Sequence, residues 1–223
     1  MKDIRSALIR PTLIAFFPRT LRPIPLLEVT DLQRVGLNPT SFSLPDRTCI
    51  AVRGPSGAGK TLLMRAIADL DPNDGRVSLD GEDRAAIPAP LWRRRVTYVP
   101  AEPGWWAETI GEHFADWPAA LPLVERVGLS DAARTWPVAR CSTGERLRLA
   151  LARALAIGPR VLLLDEPTAA LDTALVGSVE ALIREQIAAG MSALWVTHDP
   201  EQAKRIADRA LIVEAGQVRQ APL

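Results

Sequence analysis

Long apolar runs are missing from this sequence. None approaches the about 20 residues that a helix needs to cross a bilayer, because the best candidate, Leu8 to Phe17, is interrupted by Arg10 and Pro11. Any membrane that the protein serves is therefore expected to be spanned by another chain. A charge excess is missing as well: 27 basic residues stand against 26 acidic ones, and a net charge of +1 carries no sign of a nucleic-acid surface. Cysteine is scarce. Cys49 and Cys141 lie far apart and show no metal-ligand spacing, which points to free thiols in a reducing compartment, the cytoplasm. No internal repeat is present.

What is there is the material of one soluble α/β domain: 223 residues, 48% hydrophobic and 24% charged. Residues 1–25 stand apart from it. Lys2, Arg5, Arg10, Arg19 and Arg22 face a lone acid, Asp3, and Pro11, Pro18, Pro23 and Pro25 break any long helix. That segment reads as a basic extension, either loosely ordered or touching a membrane or a partner. The domain itself is expected over residues 26–223, with a helical subdomain over about 104–140.

Within the domain, short strands are expected at Leu26–Val29, Phe42–Leu44 and Thr48–Val52. Leu62, Leu63, Ala66, Ile67 and Leu70 then recur at helical spacing until Asp71-Pro72-Asn73-Asp74-Gly75 turns the chain. A short strand and turn follow at Arg76-Val77-Ser78-Leu79-Asp80-Gly81, and another strand at Arg95–Val99. After the Trp-rich stretch the order is helix Gly144–Ala156, strand Val161–Asp165, helix Asp172–Ala189, strand Ser192–Thr197, helix Pro200–Asp208 and strand Leu211–Glu214. Such alternation predicts a mainly parallel sheet covered by helices.

Chemistry begins at Gly54-Pro55-Ser56-Gly57-Ala58-Gly59-Lys60-Thr61, which satisfies G-x-x-x-x-G-K-[ST] between a predicted strand and a predicted helix. The glycines let backbone N–H groups wrap a phosphate chain, and the positive end of the following helix adds to that field. Lys60 is placed to reach the β- and γ-phosphates, and the Thr61 hydroxyl to ligate Mg²⁺. The apolar strand Val161–Leu164 ends in Asp165 and Glu166. Asp165 is suited to holding the metal through its water shell, and Glu166 to orienting and deprotonating an attacking water.

Nucleotide kinases and simple GTPases share those two motifs. The set is extended by Cys141-Ser142-Thr143-Gly144-Glu145-Arg146 before a helix, Asp165-Glu166-Pro167-Thr168, Ala170-Leu171-Asp172, and Trp195-Val196-Thr197-His198-Asp199. In this order the chain resembles the ABC ATPase family over Leu26 to about Val218. The resemblance implies a P-loop NTPase core with a mainly parallel sheet, a small antiparallel β subdomain and a short helical subdomain. It implies ATP and Mg²⁺ as cofactors, and hydrolysis that energises separate integral membrane permease subunits from the inner face of the membrane. It also implies a homodimer or heterodimer of cassettes: Ser142 and Gly144 would contact the γ-phosphate bound by the opposite subunit, Asp172 would join the subunits, and His198 would bridge the γ-phosphate and the catalytic water's surroundings. His113 has no such context and is expected at the surface. The short distance from phosphate loop to signature argues against soluble ABC ATPases of DNA repair or translation. A degenerate regulatory cassette with little hydrolysis is the alternative. The Gly81-Glu82-Asp83 turn and the run ending at Asp199 look similar to small bacterial cassettes of metal or iron export.

The pattern also departs from the family. Ala101 stands where a glutamine is usual, and a methyl group neither ligates metal nor bonds water; Glu102 is its neighbour. Cys141 and Thr143 replace a leucine and a glycine of the signature. Asp31-Leu32-Gln33-Arg34-Val35-Gly36 lacks the adenine-stacking aromatic. Trp105 and Trp106 fall where the family docks its membrane subunits. Tandem tryptophans suit an interface anchor or the filling of a small subdomain, and the docking reading expects at least one exposed indole.

Overall fold

A computed structural model describes residues 26–223; the basic segment 1–25 lies outside the described residues. Strand β1 (Leu27–Arg34) and strand β2 (Leu37–Leu44) alternate buried and exposed side chains, the pattern of a sheet with one face on a core. Strand β3 (Cys49–Arg53) is apolar without alternation and feeds the loop before helix α1 (Lys60–Ile67). Strands β4 (Asp74–Leu79) and β5 (Glu82–Asp83) follow, then helix α2 (Ala89–Arg95) and strand β6 (Val96–Val99). Single 3₁₀ turns and helix α3 (Trp117–Arg126) build the region before helix α4 (Thr143–Ala156). The chain closes with β7 (Val161–Asp165), α5 (Thr173–Ala188), β8 (Ser192–Val196), α6 (Pro200–Ile206), β9 (Arg209–Glu214) and β10 (Gln217–Ala221).

Two sheets result. The first is antiparallel, in the order β2-β1-β4-β5. The second runs β10-β9-β3-β8-β7-β6, parallel throughout except for the β9–β10 hairpin at its edge. Its central strands are buried on both faces. Ile50, Val52, Leu163, Leu194 and Val196 point into a core shared with α1 and the antiparallel sheet. Leu162, Leu164, Ala193 and Trp195 point into another, filled by α3, α4 and α5. An uninterrupted apolar strand is what two covered faces require.

The expected elements are present within two or three residues, apart from the first two strands, where β1 and β2 run longer than the apolar pattern suggests. Helix α2 and strand β10 have no counterpart in that pattern, and the expected turn at Gly81-Glu82-Asp83 contains the short strand β5. Helix α2 starts with Pro90 in its first turn and is pinned by buried Trp92, whose indole N–H donates to the Ile67 carbonyl at 2.9 Å. Strand β10 is mostly exposed and polar, so no hydrophobic pattern marks it.

Because β3, β8 and β7 are adjacent and parallel, the loops that leave their carboxyl ends emerge side by side. The carboxyl edge of a parallel sheet is where such folds bind ligands.

Candidate functional site

The loop after β3 holds a glycine for steric cause. A Cβ on Gly54, at φ +148°, would lie 2.0 Å from the Val213 carbonyl oxygen, so β9 excludes any other residue there. Pro55, Ser56 and Gly57 are exposed along the loop, whereas Ala58 and Gly59 are buried where it enters α1. The edge hairpin braces this turn, with the Gly216 N–H donating to the Ala58 carbonyl at 3.0 Å.

Lys60 is only 6% exposed, and its ammonium donates to the Gly54 and Pro55 carbonyls, each at 2.9 Å. Two of its three N–H groups are therefore engaged with the loop, and the third has no hydrogen-bond partner among the described residues. Burial pushes its pKa below the ordinary lysine range, opposed by the carboxylates of Glu166 and Asp165. A cation held at the cost of desolvation, with one N–H to spare, is suited to receiving anionic oxygen.

The next residue connects two elements 104 positions apart. The Thr61 hydroxyl donates to Asp165 Oδ2 at 2.7 Å, and the Tyr98 hydroxyl donates to the same oxygen at 3.0 Å from neighbouring strand β6. Burial first, then the Asp165 carboxylate, push the Tyr98 phenol above its ordinary range. One hydroxyl and one carboxylate beside a phosphate loop suit Mg²⁺, which keeps several waters and takes one or two protein ligands plus phosphate oxygens. No cluster of three or more His, Cys, Asp or Glu able to form a protein cage occurs among the described residues.

Glu166 follows at φ +51°, a left-handed backbone that is rare for a residue with a side chain. The turn sends its carboxylate toward the end of β8, where Glu166 Oε1 meets His198 Nε2 at 2.6 Å. The two line a cleft of about 260 Å³ together with Thr168, Thr197 and Gln202. The carboxylate does not cap the following helix; Asp172 does, accepting from the Leu175 N–H at 2.9 Å.

Ser142 and Gly144 lie at the start of α4. The Ser142 hydroxyl accepts from the Glu145 N–H at 3.2 Å, and Glu145 accepts in return from the Ser142 N–H at 2.8 Å, a closed capping box. Ser142 remains exposed with its own O–H proton uncommitted. A Cβ on Gly144 would lie 2.9 Å from the Ala170 carbonyl oxygen, so α4 begins in contact with the loop that carries Asp172.

His113 corrects the surface expectation. It is 6% exposed, its Nε2 accepts from the N–H groups of Trp106 at 2.9 Å and Ala107 at 3.0 Å, and its Nδ1 pairs with the Thr109 carbonyl at 2.9 Å. Two backbone donors on one nitrogen require a neutral ring with its proton on Nδ1. Both tryptophans stack edge-on to it, with ring centroids 4.8 and 4.7 Å away. Trp105 is half-buried and packs against the core, whereas Trp106 is 73% exposed, which supplies the exposed indole that the docking reading expects. Tyr98, Gln202 and His113 had no motif to announce them.

Among known proteins, a family model described as "ABC transporter" matches residues 37–169. The aliphatic sulfonates import ATP-binding protein SsuB 2 of Pseudomonas fluorescens is 38% identical over 211 residues, spanning 90% of this chain and 78% of its own length. The Fe(3+) ions import ATP-binding protein FbpC of Streptomyces coelicolor is 36% identical over 200 residues, spanning 84% of this chain and 57% of its own. A solved structure described as the ATP binding subunit of an ABC transporter superposes with a TM-score of 0.81 at 26% identity, over 89% of this chain and 90% of that one.

Proposed function

The chain belongs to the ABC transporter family as one of its ATP-binding subunits, which are ATPases, and from that premise we propose how its own residues carry the hydrolysis. Backbone N–H groups of Gly54 to Thr61 cradle the β- and γ-phosphates, and Lys60 gives its free N–H to them. Thr61 and Asp165 would hold Mg²⁺, which would neutralise charge developing on the phosphate oxygens. Glu166 orients the attacking water and accepts its proton, and His198 holds Glu166 in place while reaching toward the γ-phosphate. Ser142 and the N–H of Gly144, at an exposed helix start, complete the same site on a partner cassette, with Asp172 beside them at the junction. The observation that carries this reading is the single cluster formed by Lys60, Thr61, Asp165, Glu166 and His198 from three adjacent strand ends.

No helix among the described residues is long and apolar enough to cross a membrane. We place the chain on the cytoplasmic face of the membrane, against integral permease subunits. The docking face is the groove of about 430 Å³ lined by exposed Trp106, Arg153 and Ile157. The Arg153 guanidinium lies 4.8 Å from the Trp106 ring centroid and stiffens that wall. The two relatives carry unlike cargoes, sulfonates and Fe(3+), on one kind of cassette, which supports leaving cargo choice to the membrane subunits. Export of metal or iron has no counterpart in those two names.

The test is steady-state Mg·ATP hydrolysis by the purified chain against its own concentration, with Glu166→Gln as the blank. A rate per chain that climbs with concentration and vanishes in the variant supports a site completed between cassettes. Bound ATP without turnover, even with permease present, removes the proposal in favour of a regulatory cassette.

A further inference from the structure

Behind the Glu166–His198 contact lies a buried amide that no motif includes. Gln202, in α6, is 5% exposed and bonded on both ends. Its Oε1 accepts from the Thr197 hydroxyl at 2.7 Å. Its Nε2 donates to the Thr168 hydroxyl at 3.0 Å and to Glu180 Oε1 at 3.1 Å. Which end points where is dictated by Glu180. This carboxylate, 3% exposed, would be raised by burial, but bonds from Arg205 and Gln202 outweigh that and hold its pKa below the ordinary range, so it only accepts. The amide N–H₂ must face it, and the carbonyl oxygen is left for Thr197.

Both hydroxyls flank the chemistry. Thr197 precedes His198, and its oxygen also accepts from the Asp199 N–H at 3.1 Å, spanning the histidine on both sides. Thr168 lies two residues after Glu166, in the same loop. We infer that Gln202 is a positioning residue for hydrolysis: its carbonyl holds the His198 turn, its amide holds the Glu166 loop, and together they set the contact between the two side chains. The inference rests on the proposed roles of Glu166 and His198. Fully satisfied buried amides of this kind fix one geometry, because any shift leaves a polar group unpaired.

The experiment compares the full chain with Gln202→Met, His198→Ala and the double variant, measuring kcat, KM for Mg·ATP and the thermal midpoint. Met keeps the volume and removes every amide bond. Gln202→Met is expected to lower kcat roughly tenfold or more, as a misplaced catalytic group does, with KM changed by less than about twofold. In the His198→Ala background it is expected to cost far less than it does alone, since the contact it sets is gone and only its hold on the Glu166 loop remains. A Gln202→Met enzyme with normal kcat overturns the inference, as does a loss that multiplies with that of His198→Ala, the sign of a general structural effect. If His198→Ala alone turns over like the parent, the reading of the site fails first and takes the inference with it. Should Gln202→Met not fold, Gln202→Glu serves in the same cycle: it keeps the acceptor for Thr197, loses both donors, and is held to the same outcomes.

Discussion

His198 Nε2 and Glu166 Oε1 lie 2.6 Å apart, joining the loops that leave two adjacent parallel strands. The contact uses one carboxylate oxygen and leaves the other for water. Glu166→Gln preserves the shape and removes the proposed base. Hydrolysis is expected to fall by roughly 10²-fold or more, the usual contribution of a positioned general base, while ATP affinity is retained. On a sizing column with Mg·ATP the variant should elute as a dimer and the parent chiefly as a monomer. Unchanged turnover would show that another group accepts the proton.

A second relationship concerns the metal side of the site. Tyr98 and Thr61 both donate to Asp165 Oδ2, which leaves Oδ1 for the water shell of the proposed Mg²⁺. Tyr98→Phe deletes one of these bonds without changing the core volume. The Mg²⁺ concentration that half-saturates tight nucleotide binding is expected to rise roughly tenfold, the order of a lost hydrogen bond to a charged group. Affinity for ATP in excess chelator should stay constant. A titration with fluorescent nucleotide, with and without Mg²⁺, separates the two; equal effects in both conditions would assign Tyr98 to packing alone.

The parts of the site readable from the chain were those whose chemistry is local. Gly54 to Thr61 and Val161 to Glu166 declare themselves by spacing, because one is a glycine-spaced turn between a strand and a helix and the other must be apolar on both faces. Tyr98 could not be found that way: its role depends on β6 lying next to β7, a fact of strand order. His113 is not legible as buried, because its partners are the backbone N–H groups of Trp106 and Ala107, which no side-chain pattern records. Gln202 needs four segments to converge. Strand β10 escaped notice since its exposed, polar residues carry no period to read.

Asp71 offers a stability prediction with a defined sign. It takes a two-pronged bond from Arg65, both distances 2.7 Å, and a further one from Arg34 at the end of β1, so it ties α1 to the antiparallel sheet. The bond from Arg65, then that from Arg34, hold its carboxyl at about 2 against the ordinary 3.8, although burial opposes them. A folded pKa below the unfolded one means that the stabilisation is present above about pH 4 and is lost as pH falls toward 2. Asp71→Asn is expected to lose about 1–2 kcal/mol at neutral pH, a figure reduced for solvent screening. Urea unfolding at pH 7, 4 and 2.5 checks it: the gap between parent and variant should close at the acid end, and a constant gap would refute the ion-pair origin.

Val35 is 93% exposed at the turn between β1 and β2. That turn presses on the phosphate loop, for the Gly36 carbonyl oxygen lies 3.3 Å from where a Cβ on Gly59 would be. A base attached to a phosphate chain held by that loop is therefore expected over this turn, against a branched aliphatic side chain with no π face. Val35→Tyr supplies one. Being almost wholly in solvent, the position can take a larger ring without disturbing the core. Stacking of a base on an aromatic ring contributes about 1–3 kcal/mol, so ATP affinity is expected to rise roughly tenfold even after allowance for ordering the new side chain. Inorganic triphosphate, which has the same anionic groups and no base, is the control and should bind both proteins equally. If triphosphate gains as much as ATP, the tyrosine acts on the loop rather than on the base; if neither gains, the base lies elsewhere.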